Sequence, residues 1–401
     1  MTSPTTRPAP SGLLIANLLA QLAFGLLAMT ICLPSMQEWG AIFNTGQAAV
    51  QLTFSGYVVA YGSLQLLYGP LSDRIGRKKI LLFGLAVAFL GSVLAALAPN
   101  LPLLVAARVL QGAGAAAGMV VGRAMVQDLF QGPERTRVMA YVGMAMGLCP
   151  PLATIIGGQL HVRLGWQANF VVMAVLAVVL FVAAWRGLPD HQKATTVQPH
   201  WLRAMLSSYA RLGRERAFIL YVALLSMTTA TFYAFLGGAP IVLGSYGVKP
   251  DGIGYYIMCV PGAYIVGNYL ASHMAHRTGE RMMMDIGQGC TLGGIALMVA
   301  LALGGVNTPL AFSLPLMLVG IGHGLLVPPA LGGTIGLVPA LAGSAAAVAG
   351  LMQQMTGAVG GFAVGLFRHE GALNLGLLML GFALCGAFAQ WLLHRRLARP
   401  H

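Results

Sequence analysis

The charged side chains that could do chemistry in this chain are few, and one short segment concentrates them. Residues 69–79 read Gly-Pro-Leu-Ser-Asp-Arg-Ile-Gly-Arg-Lys-Lys and carry five charges, whereas charged residues make up 8% of the 401-residue chain. Long apolar runs flank this segment on both sides. Because such a charge density does not enter hydrocarbon, we expect a short hydrophilic turn between two membrane spans, on the cytoplasmic side that basic residues favour.

Arg108 is a second candidate because it lies inside an apolar run. It opens the sequence Arg-Val-Leu-Gln-Gly at 108–112, about seven residues into a predicted span at 101–126. An unpaired guanidinium at that depth is costly. We therefore expect Arg108 to form a buried polar network with Gln111 that influences the binding of a proton or a substrate. Extension of the side chain to the outer membrane surface is the structural alternative.

His323 could carry a proton within the membrane, because an ordinary imidazole titrates near neutral pH. It stands in Gly-Ile-Gly-His-Gly at 320–324, inside another predicted span. A buried packing histidine is an equal alternative, and both stay open. The ten acidic residues fall in loops or near span ends, so no carboxylate is expected in mid-membrane. No metal site is expected, because the histidine pair His273 and His276 lacks further ligands.

Polar and aromatic residues inside the spans are the candidates for a substrate cavity. A large apolar cavity with a few polar anchors suits lipophilic small molecules. Without acids in mid-membrane, such a cavity should favour neutral or anionic compounds over dications. The candidates are Gln21, Tyr57, Tyr61, Met119, Phe232, Tyr233, Tyr256, Asn268, Gln353 and Gln354.

The elements that hold these residues are predicted to be membrane-spanning helices. The chain is 57% apolar with a mean hydropathy of +0.78, and its apolar runs last about 20 residues, the length of a spanning helix. A spanning β-strand is about half as long and alternates in polarity. The fold class is therefore all-α, with twelve transmembrane helices at roughly 13–34, 47–68, 80–98, 101–126, 136–160, 166–187, 217–240, 251–274, 284–304, 308–329, 343–367 and 371–393.

The net charge of +13 is distributed by membrane side, which argues against a nucleic-acid-binding surface. With the N-terminus inside, 19 of the 23 Lys and Arg residues lie on the cytoplasmic side. Arg163, Lys249 and Arg368 lie outside, and Arg108 lies within a span. This bias predicts that both termini are cytoplasmic.

A hydrophilic stretch at 188–216 divides the chain into two halves. Residues 1–187 are predicted to form one six-helix bundle and residues 217–401 a second. The cytoplasmic linker between them is predicted to contain an amphipathic helix at the membrane surface. An internal repeat supports this division, because Arg-Thr-Gly-Glu-Arg at 277–281 lies 203 residues after Arg-Ile-Gly-Arg-Lys at 74–78.

Four motifs together resemble the major facilitator superfamily, and in particular its bicyclomycin/chloramphenicol-resistance branch of drug:proton antiporters. They are the segments 69–79, 108–112, 122–128 and 147–158. The resemblance implies a gating loop that holds the two halves in the outward-facing state. Its residues are Gly69, Asp73, Arg74, Gly76 and Arg77, and we expect Arg123 and Asp128 to be their partners. The resemblance also implies a bendable helix that limits leakage, with Gly147, Pro150, Pro151, Gly157 and Gly158.

The chain departs from this branch at the end of the first span. Relatives usually carry an aspartate there that takes part in proton and cation handling, and Thr30 stands at that position. The usual coupling carboxylate is therefore absent from this position.

The resemblance implies a secondary transporter rather than an enzyme. We expect it to export small lipophilic drugs or metabolites by alternating access, with the proton gradient as energy source and no cofactor. An uncoupled facilitator or uptake symporter is an alternative, as is a membrane-embedded sensor or binding protein of another class. The expected location is the bacterial inner membrane, and the expected partners are a small-molecule substrate and lipid, without nucleic acid, for a protein acting as a monomer.

Overall fold

The computed structural model describes residues 12–190, 201–338, 341–368 and 371–398. Within these ranges the chain is helical and contains no β-strand. A 3₁₀ turn, Leu33–Ser35, follows the first helix. The α-helices are α1 Gly12–Thr30, α2 Met36–Ile42, α3 Gln47–Ile75, α4 Arg77–Ala96, α5 Leu101–Leu129, α6 Gly132–Leu164, α7 Gln167–Gly187, α8 Trp201–Leu212, α9 Arg216–Ser245, α10 Pro250–Ile257, α11 Cys259–Leu303, α12 Pro309–Gly336, α13 Ala342–Val364 and α14 Ala372–Leu397.

These helices make twelve crossings, six in each half, which confirms the predicted fold class. Helices α1 and α3 to α7 form the first bundle, and α9 to α14 form the second. The second bundle reaches six crossings because α11 spans 45 residues and breaks at Gly279, where φ is +73°. Among the described residues, nine helical stretches have the length and apolar character of a membrane span. The crossings at 47–75, 250–278 and 342–364 are more polar, and several of their polar side chains lie between the two bundles.

Local sequence explains where several helices begin and end. The side-chain oxygens of Asn100 and Thr308 accept backbone N–H groups at 3.0 and 3.2 Å, so each residue caps the helix that follows it. Gly76 separates α3 from α4 with a φ of +112°, a conformation that glycine adopts without a steric penalty. Helix α1 ends at Thr30, four residues before Pro34, whose missing N–H cannot continue the helical ladder.

The molecule has two chemically different ends. We call one the basic side, because the α3–α4 turn, the α5–α6 turn, the break in α11 and the end of α14 bring Arg77, Arg135, Arg281 and Arg395 there. The other end holds the α1–α3 connection and the α9–α10 turn, and we call it the opposite side.

The two bundles contact each other between the middle of the molecule and the opposite side. Helix α3 packs along α13, and α6 packs against α10. Glycines permit the close approach, because a Cβ atom would collide with Ala48 if placed at Gly365 and with Gln354 if placed at Gly62. Toward the basic side, three separate core clusters contain only residues from 212 onward. The structure is therefore closed on the opposite side.

The predicted linker contains the helix α8, and Leu212 at its end packs with Phe218, Val222 and Ala345 of the second bundle. Residues 191–200 of this linker lie outside the described residues, as do the side chains of 201–206 and 275–277.

Candidate functional site

Arg108 lies in α5 with 0% of its surface exposed, and it binds the end of α1. Its Nη1 donates to the Ala28 carbonyl oxygen at 2.7 Å and its Nη2 to the Met29 carbonyl oxygen at 3.3 Å. These carbonyls belong to the last turn of α1, where a helix has no N–H donors of its own to offer. Nε donates to the Thr53 carbonyl oxygen of α3 at 3.4 Å. Arg108 therefore joins three helices of the first bundle.

Gln111 and Ser92 extend this network toward α4. The Gln111 Oε1 atom accepts a hydrogen bond from Arg108 Nη1, and Gln111 Nε2 donates to Ser92 Oγ at 2.8 Å. Ser92 Oγ donates in turn to the Ala88 carbonyl oxygen at 2.7 Å. Gln111 could be predicted from its spacing to Arg108. Ser92 could not, because nothing in the sequence indicates that it faces Gln111.

The charge of Arg108 is stabilised by dipoles and an aromatic ring. Its guanidinium carbon lies 4.3 Å from the centroid of the Tyr57 ring, a cation–π distance. The carbonyl end of α1 also carries the negative end of the helix dipole. Tyr57 is held in place because its hydroxyl donates to the Gly25 carbonyl oxygen at 2.7 Å. Within the described residues, no ion pair joins Arg108 to a carboxylate.

Thr30 is buried one residue beyond Met29, whose carbonyl Arg108 binds. Its Oγ1 donates to the Leu26 carbonyl oxygen at 2.8 Å, one turn back in the same helix. The Thr30 hydroxyl is therefore hydrogen-bonded within its own helix. It brings no negative charge to the backbone that binds the Arg108 guanidinium.

The candidate gating-loop residues lie at the basic side, where Arg77 connects the start of α4 to α3 and α5. Its guanidinium contacts Asp73 Oδ1 at 2.5 Å and Asp128 Oδ2 at 3.2 Å, and its Nη1 donates to Ser72 Oγ at 2.7 Å. Gly76 provides the turn that lets Arg77 reach both carboxylates. In this state the contacts of Arg77 stay within the first bundle.

The remaining loop candidates make different contacts. Arg123 is exposed and its Nη2 lies 3.5 Å from the sulfur of Met146 in α6, so it lies apart from the Arg77–Asp128 pair. Arg74 is exposed at the end of α3. Gly69 faces α5, where a Cβ atom would lie 3.6 Å from Val120.

The glycine- and proline-rich part of α6 lies against both bundles. A Cβ atom at Gly157 would collide with the Ile31 carbonyl oxygen, and one at Gly158 would collide with the Pro250 carbonyl oxygen of the second bundle. A Cβ atom at Gly147 would lie 3.3 Å from Ile265 of α11. The prolines Pro150 and Pro151 lie inside the helix.

Four of the cavity candidates meet in the middle of the molecule. Tyr233 donates from its hydroxyl to Gln354 Oε1 at 2.9 Å, and Gln354 lies against Gly62, the neighbour of Tyr61. The rings of Tyr57 and Tyr61 stack with centroids 5.9 Å apart. These residues form a cluster of aromatic rings and an amide between α3, α9 and α13.

The other cavity candidates lie around or away from this cluster. Gln353 accepts from Thr229 Oγ1 at 3.2 Å, and the Phe232 ring lies 6.2 Å from that of Tyr233. The Gln21 amide donates to the Leu180 carbonyl oxygen of α7 at 2.9 Å, and Asn268 donates to the carbonyl one turn before it at 3.0 Å. Met119 is buried in α5, and Tyr256 is half-buried in α10.

His323 is 4% exposed in α12, and its Nε2 has no hydrogen-bond partner among the described residues. Glycines on both sides of it let α12 pack closely on α11. A Cβ atom at Gly322 would collide with the Gly287 carbonyl oxygen, and one at Gly324 would lie 2.6 Å from the Asn268 backbone nitrogen.

Two glutamines that the sequence analysis did not select close the opposite side. Gln51 of α3 donates from Nε2 to the Gly237 carbonyl oxygen of α9 at 2.9 Å, and Gln37 of α2 donates to the Pro240 carbonyl oxygen. The proline at position 240 inside α9 could have drawn attention to this segment, because it interrupts the helical hydrogen bonds there.

Comparison with known proteins shows that this sequence is similar to those of transporters. The model of the Major Facilitator Superfamily matches residues 13–363. Multidrug resistance protein D of Escherichia coli (strain K12) is 28% identical over 368 residues, which are 91% of this chain and 92% of that protein. A chloramphenicol resistance protein of Pseudomonas aeruginosa is 28% identical over 340 residues, which are 84% of this chain and 80% of that protein.

A solved structure supports the fold. The bacterial homologue of the human lysosomal transporter Spinster has a TM-score of 0.75 at 13% sequence identity, covering 95% of this chain and 96% of that one. The resemblance to the drug-resistance branch is confirmed, and the chain is a transporter and not an enzyme. It belongs to the Major Facilitator Superfamily.

Proposed function

We propose that this transporter exports small lipophilic molecules across the bacterial inner membrane by alternating access, coupled to proton antiport. The observation that carries the proposal is the one-sided contact between the bundles. Glycine-mediated contacts such as Gly158 on Pro250 hold the opposite side closed, whereas clusters on the basic side belong to one bundle. Rocking of two bundles about a central site would exchange the open and closed sides.

The chemistry of the central cluster supports a neutral or anionic lipophilic substrate. Tyr57, Tyr61, Tyr233 and Gln354 offer rings, hydroxyls and an amide, and the nearest charge is the cation of Arg108. A dication would meet this positive charge without a carboxylate to offset it. The relative from Pseudomonas aeruginosa is named for resistance to chloramphenicol, which is a neutral lipophilic compound.

Proton coupling would have to use groups other than a carboxylate at the end of α1. An arginine side chain stays charged in proteins, so Arg108 would set the local field and would not itself release the proton. His323 is our candidate for the proton-carrying group, because its buried Nε2 has no hydrogen-bond partner among the described residues. An uncoupled facilitator is the alternative. Thr30 supports it, because a threonine hydroxyl supplies no titratable group at the end of α1.

Transport by purified protein in liposomes with an imposed pH gradient tests the proposal. Uptake of a chloramphenicol-like compound and of a lipophilic dication would be followed for wild type, Arg108→Ala and His323→Gln. We expect gradient-driven movement of the neutral compound in wild type, which an ionophore that collapses the gradient abolishes, and its loss in both variants. Arg396→Ala is the matched control, because that arginine is exposed at the end of α14.

Two results would contradict this proposal. Movement of the neutral compound that is indifferent to the pH gradient would favour an uncoupled facilitator. Equal movement of the dication would remove the proposed selectivity against positive charge.

We also propose that the basic side faces the cytoplasm, that both termini lie there, and that one chain, which holds both bundles, acts as a monomer. Single cysteines at Glu38 and Arg396, both exposed, would be introduced into a variant without the five native cysteines. A membrane-impermeant maleimide applied from outside should label position 38 and leave position 396 unlabelled. Labelling of position 396 alone would indicate the opposite orientation.

A further inference from the structure

A groove between α11 and α14 opens at the basic side, on the face of the second bundle away from the first. Its volume is about 620 Å³. Helix α11 contributes Arg281, Asp285 and Leu292 to its lining, and α14 contributes Gln390 and Arg395. The central site described above uses none of these residues.

The outer end of the groove is positively charged. Arg281 and Arg395 are both exposed there. The Asp285 carboxylate is already engaged by α14, because Oδ1 accepts from Gln390 Nε2 at 2.8 Å and lies 3.3 Å from His394 Nδ1. Two guanidiniums and one engaged carboxylate line the groove, which leaves a net positive charge for an anion.

The inner end of the groove is apolar and lies deeper in the membrane. Arg281 and Leu292 are eleven residues apart, which is about 16 Å along a helix at 1.5 Å per residue. That is roughly half the hydrocarbon thickness of a bilayer. Leu292 on α11 and Ala387 on α14 line this end. The groove therefore runs from the headgroup level into the acyl-chain level.

Aromatic rings place the mouth of the groove at the membrane interface. Trp391 and Phe388 are exposed on α14 and stack with centroids 5.8 Å apart. Exposed tryptophan on a spanning helix is typical of the headgroup region. The guanidinium carbon of Arg395 lies 3.6 Å from the centroid of the Trp391 ring, which holds this arginine at the mouth.

Gln390 lines the groove and carries a buried hydrogen-bond acceptor. The residue is 3% exposed and its Nε2 binds Asp285, whereas its Oε1 is buried without a hydrogen-bond partner among the described residues. A buried acceptor without a donor is costly. A ligand that carries hydroxyl groups would satisfy it.

We propose that this groove binds an anionic phospholipid whose headgroup carries hydroxyl groups, as phosphatidylglycerol does. The phosphate lies between Arg281 and Arg395, a headgroup hydroxyl donates to Gln390 Oε1, and one acyl chain follows Leu292 and Ala387. A basic pocket between transmembrane helices is a recurrent setting for anionic lipid headgroups.

A second lipid-facing groove provides a contrast within the same molecule. It lies between α4 and α7 toward the opposite side, and residues such as Phe89, Val93, Val171 and Val178 line it without any charged side chain. That groove can take an acyl chain and offers nothing for a phosphate. Of these two grooves, we expect only the α11–α14 groove to select a lipid by its headgroup.

Native mass spectrometry of the purified full chain with added lipid tests the proposal. Dioleoyl phosphatidylglycerol and dioleoyl phosphatidylethanolamine would be titrated against wild type, Arg281→Ala, Arg395→Ala and Gln390→Leu. We expect wild type to retain phosphatidylglycerol at lower concentration than phosphatidylethanolamine. Each arginine variant should weaken phosphatidylglycerol binding roughly fivefold, since one surface cation contributes about that factor to anionic lipid binding. Gln390→Leu should also weaken phosphatidylglycerol binding, because it removes the proposed acceptor of the headgroup hydroxyl.

Arg396→Ala is the matched control for Arg395→Ala, because Arg396 is also exposed on α14 and does not line the groove. It should bind phosphatidylglycerol as wild type does. Arg281→Lys and Arg395→Lys keep the charge and serve if the alanine variants do not fold. Equal loss in Arg396→Ala, or equal retention of the two lipids by wild type, would overturn the proposal.

Glycerol phosphate and inorganic phosphate distinguish a lipid site from a simple anion site. As competitors at millimolar concentration they should displace little phosphatidylglycerol, because they lack the acyl chain that contacts Leu292. Full displacement by inorganic phosphate would contradict a lipid site.

Discussion

Arg108 keeps a positive charge in the membrane by binding backbone. Its partners at Ala28 and Met29 are carbonyl oxygens that are available as acceptors because α1 ends there. Its aromatic partner is the ring of Tyr57. The sequence predicts a buried network from Arg108 and Gln111, because a guanidinium in hydrocarbon needs partners. It could not predict the carbonyl acceptors, because every residue has a backbone carbonyl. It could not predict Ser92, because packing determines which residues of α4 and α5 face each other.

Ser92→Ala should destabilise the folded protein by removing the acceptor of Gln111 Nε2. A buried donor left without a partner costs about 1–3 kcal/mol of unfolding free energy, which denaturation in mixed micelles would measure. Ser55→Ala is the matched control, because the buried Ser55 hydroxyl has no hydrogen-bond partner among the described residues and its removal should cost nothing. Equal losses in both variants would show that Ser92 contributes only its packing.

Thr30→Asp should give the transporter the negative charge that it lacks beside Arg108. A carboxylate there would offset the cation and admit positively charged substrates, so we expect transport of a lipophilic dication to rise on the order of tenfold, which 1.4 kcal/mol would produce. Thr30→Asn has the same shape without the charge and should leave dication transport low. A rise in the asparagine variant would contradict an electrostatic cause.

At the scale of helices, the sequence predicts the twelve crossings well because most of them are long apolar runs bounded by turn residues. It does not predict α2, because such a short helix is fixed by what it packs on. It also does not predict that the span expected at 251–274 is interrupted between α10 and α11. Helix α11 is long because it contains two predicted spans. The turn expected between these spans is a break at Gly279 within one helical segment. The resemblance implied a bendable helix at the glycines and prolines of α6. That this helix contacts both bundles could not be predicted, because which glycine faces which bundle depends on helix rotation.

Gly158→Ala should weaken closure of the opposite side. Its Cβ atom would collide with the Pro250 carbonyl oxygen of the other bundle, and overpacking of this kind costs about 1–3 kcal/mol. A single cysteine at Ala239, which is 0% exposed, should then react faster with an impermeant maleimide.

Gly143→Ala is the matched control for this helix, because no atom of another described helix lies within 4 Å of the added Cβ. Its labelling rate should equal that of the parent protein. An unchanged rate in Gly158→Ala would mean that α6 and α10 can move apart without opening the opposite side.

At the scale of the whole molecule, the two bundles are held together by neutral contacts. Amide hydrogen bonds of Gln37 and Gln51 to α9 lie on the opposite side, whereas the ion pairs of Arg77 at the basic side stay within the first bundle. The sequence indicates two halves and a charged loop. It does not indicate which side is closed, because both states must be compatible with the same residues.

Gln51→Leu should shift the molecule toward the state that is open on the opposite side. The substitution removes the donor to the Gly237 carbonyl oxygen and leaves the fold of each bundle intact. Spin labels at Ile42 and Lys249, exposed on different bundles at that side, should show a larger population at long distance.

Gln47→Leu is the control for this substitution. It lies one turn earlier on α3, and its Nε2 has no hydrogen-bond partner among the described residues. The distance distribution should match that of the parent. A distribution unchanged in both variants would show that the glycine contacts alone keep the opposite side closed.

The backbone cage around Arg108 leads us to expect that transport is sensitive to voltage. A cation held by carbonyl oxygens keeps its charge throughout the cycle, so a rocking first bundle carries it through part of the electric field of the membrane. A full crossing of one charge is worth about 2.3 kcal/mol per 100 mV. In vesicles with equal pH on both sides, a potassium diffusion potential alone should therefore change the rate of exchange between the two states, and reversing its sign should reverse the change.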